Sequence, residues 1–254
     1  MIPAHSLKSI KDRAKNCLLR PYITCQRQPV ADDTFQFMTS FNMQRPVKYQ
    51  TVEVKEERQS KLIGILFCHP KSPLGKAEIV DHLDYFHERS GETVDFFCAG
   101  FGAYWPPEFH PDKSVVTKIN DTEWLFSSRA YNDIRKEIEA ETSWEHSGEA
   151  ELVLLSARRT HQNSAELDFS SAIVCKLEQM GKDKAFTSVR AFFESIFRFA
   201  EKHGGADPVW ALSDKKGIET GGGFLKESIL SLLPKNLSES YKQAEHFVVR
   251  DISK

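Results

Sequence analysis

The chain has 254 residues, of which 40% are hydrophobic and 28% charged, and its formal net charge is −2. That length can bury a sizeable core, and the near-neutral balance excludes a globally basic nucleic-acid binder. Five cysteines (Cys17, Cys25, Cys68, Cys98 and Cys175) are odd in number and form no Cys-x-x-Cys pair. They argue against a disulfide framework and for reduced thiols in a cytoplasmic setting.

In chain order, Leu7, Ile10, Ala14 and Cys17/Leu18 fall at helical spacing, opposite a basic face of Lys8, Lys11, Arg13 and Lys15. These cations interrupt the apolar core that a secretory signal needs. No stretch reaches the roughly 18 apolar residues of a membrane-spanning helix. The expected element is a short basic amphipathic helix docked on its own domain or on a partner. Residues 1–59 then read as an N-terminal extension. Within it Thr34-Phe35-Gln36-Phe37 and the run Tyr49 to Val54 alternate as edge strands do.

A single α/β domain is expected over residues 60–254. Leu62-Ile63-Gly64-Ile65-Leu66-Phe67 is apolar on both faces, the pattern of a central strand covered on both sides. Ser72-Pro73 supplies a cap and a first helical residue, and Ile79, Val80, Leu83 and Phe86 form one stripe. Ser90-Gly91 ends that helix, and the run Thr93 to Ala99 is a second strand leading into the loop Gly100-Phe101-Gly102. Glu123 to Phe126 can pair with Val115 to Ile119. A helix capped by Ser127 or Ser128 follows, with Tyr131, Ile134 and Ile138 inward, then a third core strand at Glu151 to Leu155.

Phe169, Ile173, Leu177 and Met180 read as a helical stripe. Phe186, Val189, Phe193, Ile196/Phe197 and Ala200 form another, with Phe192 and Phe199 off it, and Phe247-Val248-Val249 reads as one further strand. Alternating strands and helices predict a mostly parallel sheet with flanking helices, Rossmann-like or thioredoxin-like, and a helical C-terminal third.

The chemistry concentrates on the turn after the first core strand. His69, Lys71, Ser72, Gly75 and Lys76 lie where open α/β sheets bind ligands, at a helix start suited to a phosphate or carboxylate. Gly100 and Gly102 belong to the loop expected beside it. In this reading His69 is the acid or base, Lys71 and Lys76 hold the anion, and Ser72, Gly100 and Gly102 line the site. Neither glycine-rich phosphate-loop pattern is present, and Ser72 and Pro73 equally serve only to start the helix. Cys98 paired with His69 is a further nucleophilic candidate. Cys68 and His69 are adjacent and point to opposite sides of a strand.

Gly221-Gly222-Gly223, after Lys215, Lys216 and Thr220, is either an anion-binding nest or a plain linker. Glu137, Glu139, Glu141, Glu145, His146, Glu149 and Glu151 read as a solvated acidic face. In a parallel sheet His146 falls at the edge opposite His69. Asp81, Asp84 and Glu88 read as a solvated helix face, and His82 and His87 are not spaced as a metal pair. No cofactor and no metal are expected.

Arg158, Arg159, Lys182 and Lys184 come without a nucleic-acid-binding signature, so nucleic acid is not an expected partner. Two functions are open. One is binding or processing, hydrolysis included, of a phosphorylated or nucleotide-like small molecule. The other is a non-catalytic regulatory or assembly component, contacting its own copy or another protein through the N-terminal helix and the helix at 186–202.

Overall fold

The computed structural model describes residues 2–19, 22–29, 49–56, 60–90, 94–106, 108–161, 164–202, 221–243 and 249–252. Its centre is a strand that is buried at every position, β4 (Ser60–Phe67). Alternation decides which residue faces which layer. Leu62 and Leu66 enter one hydrophobic cluster, while Ile63, Ile65 and Phe67 enter the other. Helices therefore cover both faces.

β1 (Ile2–Ala4) and β5 (Val94–Ala99) run parallel to β4 on one side of it. β9 (Glu151–His161), β10 (Ser164–Lys176) and β11 (Val249–Asp251) join antiparallel on the other. The six-stranded order is β1-β5-β4-β9-β10-β11. The expectation of a mostly parallel, Rossmann-like or thioredoxin-like sheet is thus corrected to a mixed sheet. A strand apolar on both faces reports burial and says nothing about direction.

On one face lie α1 (Leu7–Leu19) and α3 (Ser128–Glu141). Leu7, Ile10, Ala14 and Leu18 are buried against the sheet, so the N-terminal helix is part of the main core. Ser127 caps α3, its hydroxyl accepting from the Ala130 N–H at 3.1 Å. On the other face lie α2 (Leu83–Arg89), α4 (Leu177–Lys182), α5 (Val189–Lys202), α6 (Gly221–Leu230) and α7 (Lys235–Gln243). α5 buries Phe192, Phe193, Ile196 and Phe197, with Phe193 stacked on Phe96 at 4.6 Å. Gly221 to Gly223 begin α6, and Lys215, Lys216 and Thr220 lie outside the described residues.

The helical C-terminal third is corrected too. Residues 164–176 form the strand β10, with Ile173 and Cys175 on one face and Ala172 and Val174 on the other. Of the stripe expected from Phe169 to Met180, only Leu177 and Met180 are helical, in α4.

Two smaller sheets complete the fold. β2 (Tyr22–Pro29) and β3 (Tyr49–Glu56) pair antiparallel, while Thr34 to Phe37 fall outside the described residues. β6 (Phe101–Ala103), β8 (Thr122–Phe126) and β7 (Ser114–Ile119) form a three-stranded antiparallel sheet with β8 in the middle, its pairing with β7 being the one anticipated from the sequence. A buried ion pair, Lys61 to Asp95 at 3.1 Å, lies toward the start of β4 and β5 on the α1 face. No helix among the described residues is long and apolar enough to cross a membrane.

Candidate functional site

The turn after β4 spends its polar groups on itself. The His69 carbonyl accepts from the Ser72 N–H at 2.9 Å and from its hydroxyl at 2.8 Å. The Ser72 hydroxyl oxygen in turn accepts from the Gly75 N–H at 3.0 Å, and the Lys76 N–H donates to the Ser72 carbonyl at 2.9 Å. His69 Nδ1 accepts from the Lys71 N–H at 3.2 Å. Ser72 therefore acts as the helix cap, and these amides are engaged within the turn.

Gly75 is buried, and a Cβ there would sit 2.1 Å from the His69 carbonyl oxygen. Its role is to let two backbone segments touch, and the chain then winds as a π turn over Gly75–Ile79 before tightening into α2. His69 is exposed, its ring set edge-on to Phe126 with the ring centres 4.9 Å apart. Partial burial, then the charge of Lys71, pull its pKa below the ordinary histidine value. Lys71 and Lys76 are exposed on the same turn.

The glycine segment lies at this edge, as expected, but Phe101 and Gly102 belong to the strand β6 rather than to a loop, and the segment is filled by aromatic rings. Gly100 is buried at φ 79°, and a Cβ there would meet Tyr131 Cβ at 2.6 Å. A Cβ on Gly102 would meet the Trp105 ring at 1.8 Å. Phe126 bridges the two turns, touching His69 and packing on Phe101 at 5.3 Å. Cys98 is fully buried, and desolvation raises its pKa. Cys68 is buried beside the Ser72 hydroxyl, 3.7 Å away, and burial pushes its thiol up to about 12. Both thiols are held protonated, the opposite of an activated nucleophile.

Because β9 runs antiparallel, its first residue lies beside the last of β4, with Glu151 opposite Phe67. His146 is thereby brought to the same edge as His69, which corrects the placement expected for a parallel sheet. It enters an aromatic basin under α3. Phe67 is 4.7 Å from Trp144, 5.6 Å from Tyr131 and 5.8 Å from His146, ring to ring. The Trp144 indole donates to the wholly buried Glu151 at 2.8 Å.

His146 Nδ1 accepts from the Gly148 N–H at 3.0 Å, so the neutral ring carries its proton on Nε2 and donates to the Tyr131 oxygen, also at 3.0 Å. Burial, opposed by the Glu151 charge, lowers the His146 pKa. Glu139 accepts from the His146 backbone at 3.1 Å, whereas Glu137, Glu141 and Glu145 are exposed. No group of three potential metal ligands converges among the described residues. The basin is closed by its own chain and serves packing.

A second aromatic group lies open to solvent. Three large hydrophobic residues are exposed among the described residues: Tyr104 at 85%, Val115 at 55% and Phe109 at 41%. All three belong to the stretch that joins β6 to β7 or to β7 itself. Trp105, Phe109 and His110 cluster with His5, at ring distances of 4.4 to 6.3 Å. Burial, then His110, lower the His5 pKa.

The loop is held in shape. The Lys113 ammonium donates to the carbonyls of Pro106 at 2.6 Å and Phe109 at 2.8 Å. Asp112 accepts from the Ser127 hydroxyl at 2.8 Å and the Arg129 N–H at 2.9 Å. Of the five non-glycine residues with positive φ among those described, Tyr104, His110, Asn120 and Asp121 all lie in this small sheet and its loops. At Asn120 and Asp121 this is the ordinary conformation of a two-residue hairpin turn. At Tyr104 it is strained, and such backbone persists only where the surroundings over-determine it.

Sequence periodicity did not find this aromatic lip. The available signal was the density of rings beside two prolines, in Tyr104-Trp105-Pro106-Pro107-Glu108-Phe109-His110, within a segment of no regular period. Comparison of the chain with family models, with curated proteins and with solved structures gave no match in any of the three.

Proposed function

We propose that this chain is a non-catalytic component of a protein assembly and meets its partner through the lip of Tyr104, Trp105 and Phe109. The observation that carries this reading is the confinement of all exposed large hydrophobics, among the described residues, to that one stretch. Contiguous exposed apolar surface marks interaction sites, and aromatic residues are enriched in interface cores. The two helices expected from the sequence as contact surfaces fit the role less well. The apolar stripe of α1 and Phe192, Phe193 and Phe197 of α5 are covered by the chain's own core.

The test is site-specific photocross-linking in cells that make the full chain. A benzoylphenylalanine at position 109 is expected to give discrete adducts that are absent with the same group at Glu137, an exposed residue of α3. No adduct at 109, or the same adducts at both positions, would sink the reading.

A second reading keeps the carboxyl edge as a site for a phosphorylated small molecule. It is favoured by the exposure of His69, Lys71 and Lys76 on one turn. Nucleotides and sugar phosphates should then raise the melting temperature of the chain, and Lys76→Ala should remove that rise. A screen with no stabilising compound would set this reading aside.

A further inference from the structure

Resting on the assembly reading, we infer that the lip contains a receptor pocket for an arginine side chain of the partner. The pocket is a shallow cavity of about 260 Å³ lined by Tyr104, Trp105, Asp121, Thr122, Glu123 and Leu125. It combines two aromatic walls with two carboxylates. That pairing selects a cation with a flat face, since guanidinium stacks on rings and binds carboxylates through a planar fork of donors.

Each wall is fixed before any ligand arrives. The Tyr104 hydroxyl is hydrogen-bonded to Thr122 Oγ1 at 2.7 Å, which ties the exposed ring across the sheet at φ 60°. Trp105 is seated on Gly102, where a Cβ would collide with the indole, and is backed by His110 at 4.6 Å. Asn120 and Asp121 form the two-residue turn between Ile119 and Thr122, both at positive φ, 46° and 62°. This is the conformation that right-twisted hairpins require, and Asn and Asp tolerate it. The turn carries Asp121 to the cavity wall.

The charges are left available. Asp121 is exposed and has no ion pair among the described residues. Glu123 meets Lys118 at 3.4 Å, but both side chains are more than half exposed, so solvent screens the pair and a partner cation can displace it. An apolar peptide would leave both carboxylates unanswered, and an anionic one would be repelled.

The test uses the full chain and three small probes: N-acetyl-arginine amide, N-acetyl-lysine amide and N-acetyl-citrulline amide. The reporter is the Trp105 indole N–H resonance, assigned with Trp105→Phe. Arginine should shift it saturably, lysine less, and citrulline, which keeps the shape without the charge, at least fivefold less. Asp121→Asn, which preserves the left-handed turn and hence the fold, should reduce the arginine shift at least twofold.

Equal responses to arginine and citrulline, or an arginine response untouched by Asp121→Asn, would overturn the inference. The parent reading fails separately. Cross-links at position 109 with no arginine response would leave the interface standing and remove this ligand. An arginine response without cross-links would do the reverse.

Discussion

Two aromatic clusters occupy the same end of the sheet and have opposite fates. The basin holds Phe67, Tyr131, Trp144 and His146, and the lip holds Tyr104, Trp105, Phe109 and His110, so their composition is nearly the same. In the basin, α3 and the start of β9 cover the rings, and the polar tips of Tyr131 and Trp144 are turned toward partners inside the chain, His146 and Glu151. In the lip, a short sheet carries the rings outward, and Tyr104 keeps 85% of its surface in water. Residue type alone does not separate a core from a contact surface. What separates them is whether the chain's own helices reach the rings.

Substitution should divide the two clusters sharply. Trp144→Ala removes a large, fully buried side chain and leaves the Glu151 carboxylate without its indole donor. The expected loss is about 3–5 kcal/mol in urea unfolding, and a loss under about 1 kcal/mol would mean the basin is not packed as described. Tyr104→Ser should change stability by no more than about 0.5 kcal/mol while abolishing the cross-links formed from position 109. If that change instead unfolded the chain, the lip would be core and the contrast would collapse.

A smaller effect concerns pH. Burial holds the His146 pKa below its ordinary 6.5, so the unfolded chain takes up the proton first. Above that value both states are neutral and stability is unaffected. As pH falls below it, the unfolded state is favoured and stability declines. His5 and His69 are shifted the same way, so His146→Gln should flatten this decline without abolishing it. Urea midpoints at about pH 7.5 and about pH 5.5 would show the change, and an unaltered difference between them would place His146 in solvent.

Local patterns carried much of the fold. The unit from β4 through α2 to β5, the β7–β8 pairing and a cap at Ser127 or Ser128 were all legible, because each rests on neighbouring residues. Strand direction was not, because Leu152 to Leu155 would be equally apolar running either way. That single ambiguity displaced His146 to the wrong edge. β10 was misread because the four-residue spacing of Phe169, Ile173 and Leu177 fits a helical stripe, whereas the strand's register shifts between Asp168 and Ile173, Phe169 and Ile173 pack in different clusters, and Leu177 lies beyond the strand. The turn at His69 was located correctly in the chain, but the use of its amides by Ser72 is a matter of geometry that spacing does not reveal. The lip lay outside any periodic pattern, since its residues answer to loop closure and the Asn120–Asp121 hairpin.

The sheet also has a built-in order of assembly. β9 and β10 face each other through neighbours in sequence, Ser164 opposite His161, whereas β1 must find β5 across most of a hundred residues, Ile2 opposite Phe97. Closing so long a loop for three residues of pairing is the least rewarded step in the chain's search. β1, an edge strand with only three paired residues, is therefore expected to detach before the central strands. The Gly100 amide, which donates to the Ala4 carbonyl at 2.9 Å, should lose its protection from hydrogen exchange well before those of Val153 and Leu154 in the centre of the sheet. Since His5 follows that strand directly and packs on Trp105 and Phe109, each detachment of β1 would also loosen the backing of the lip.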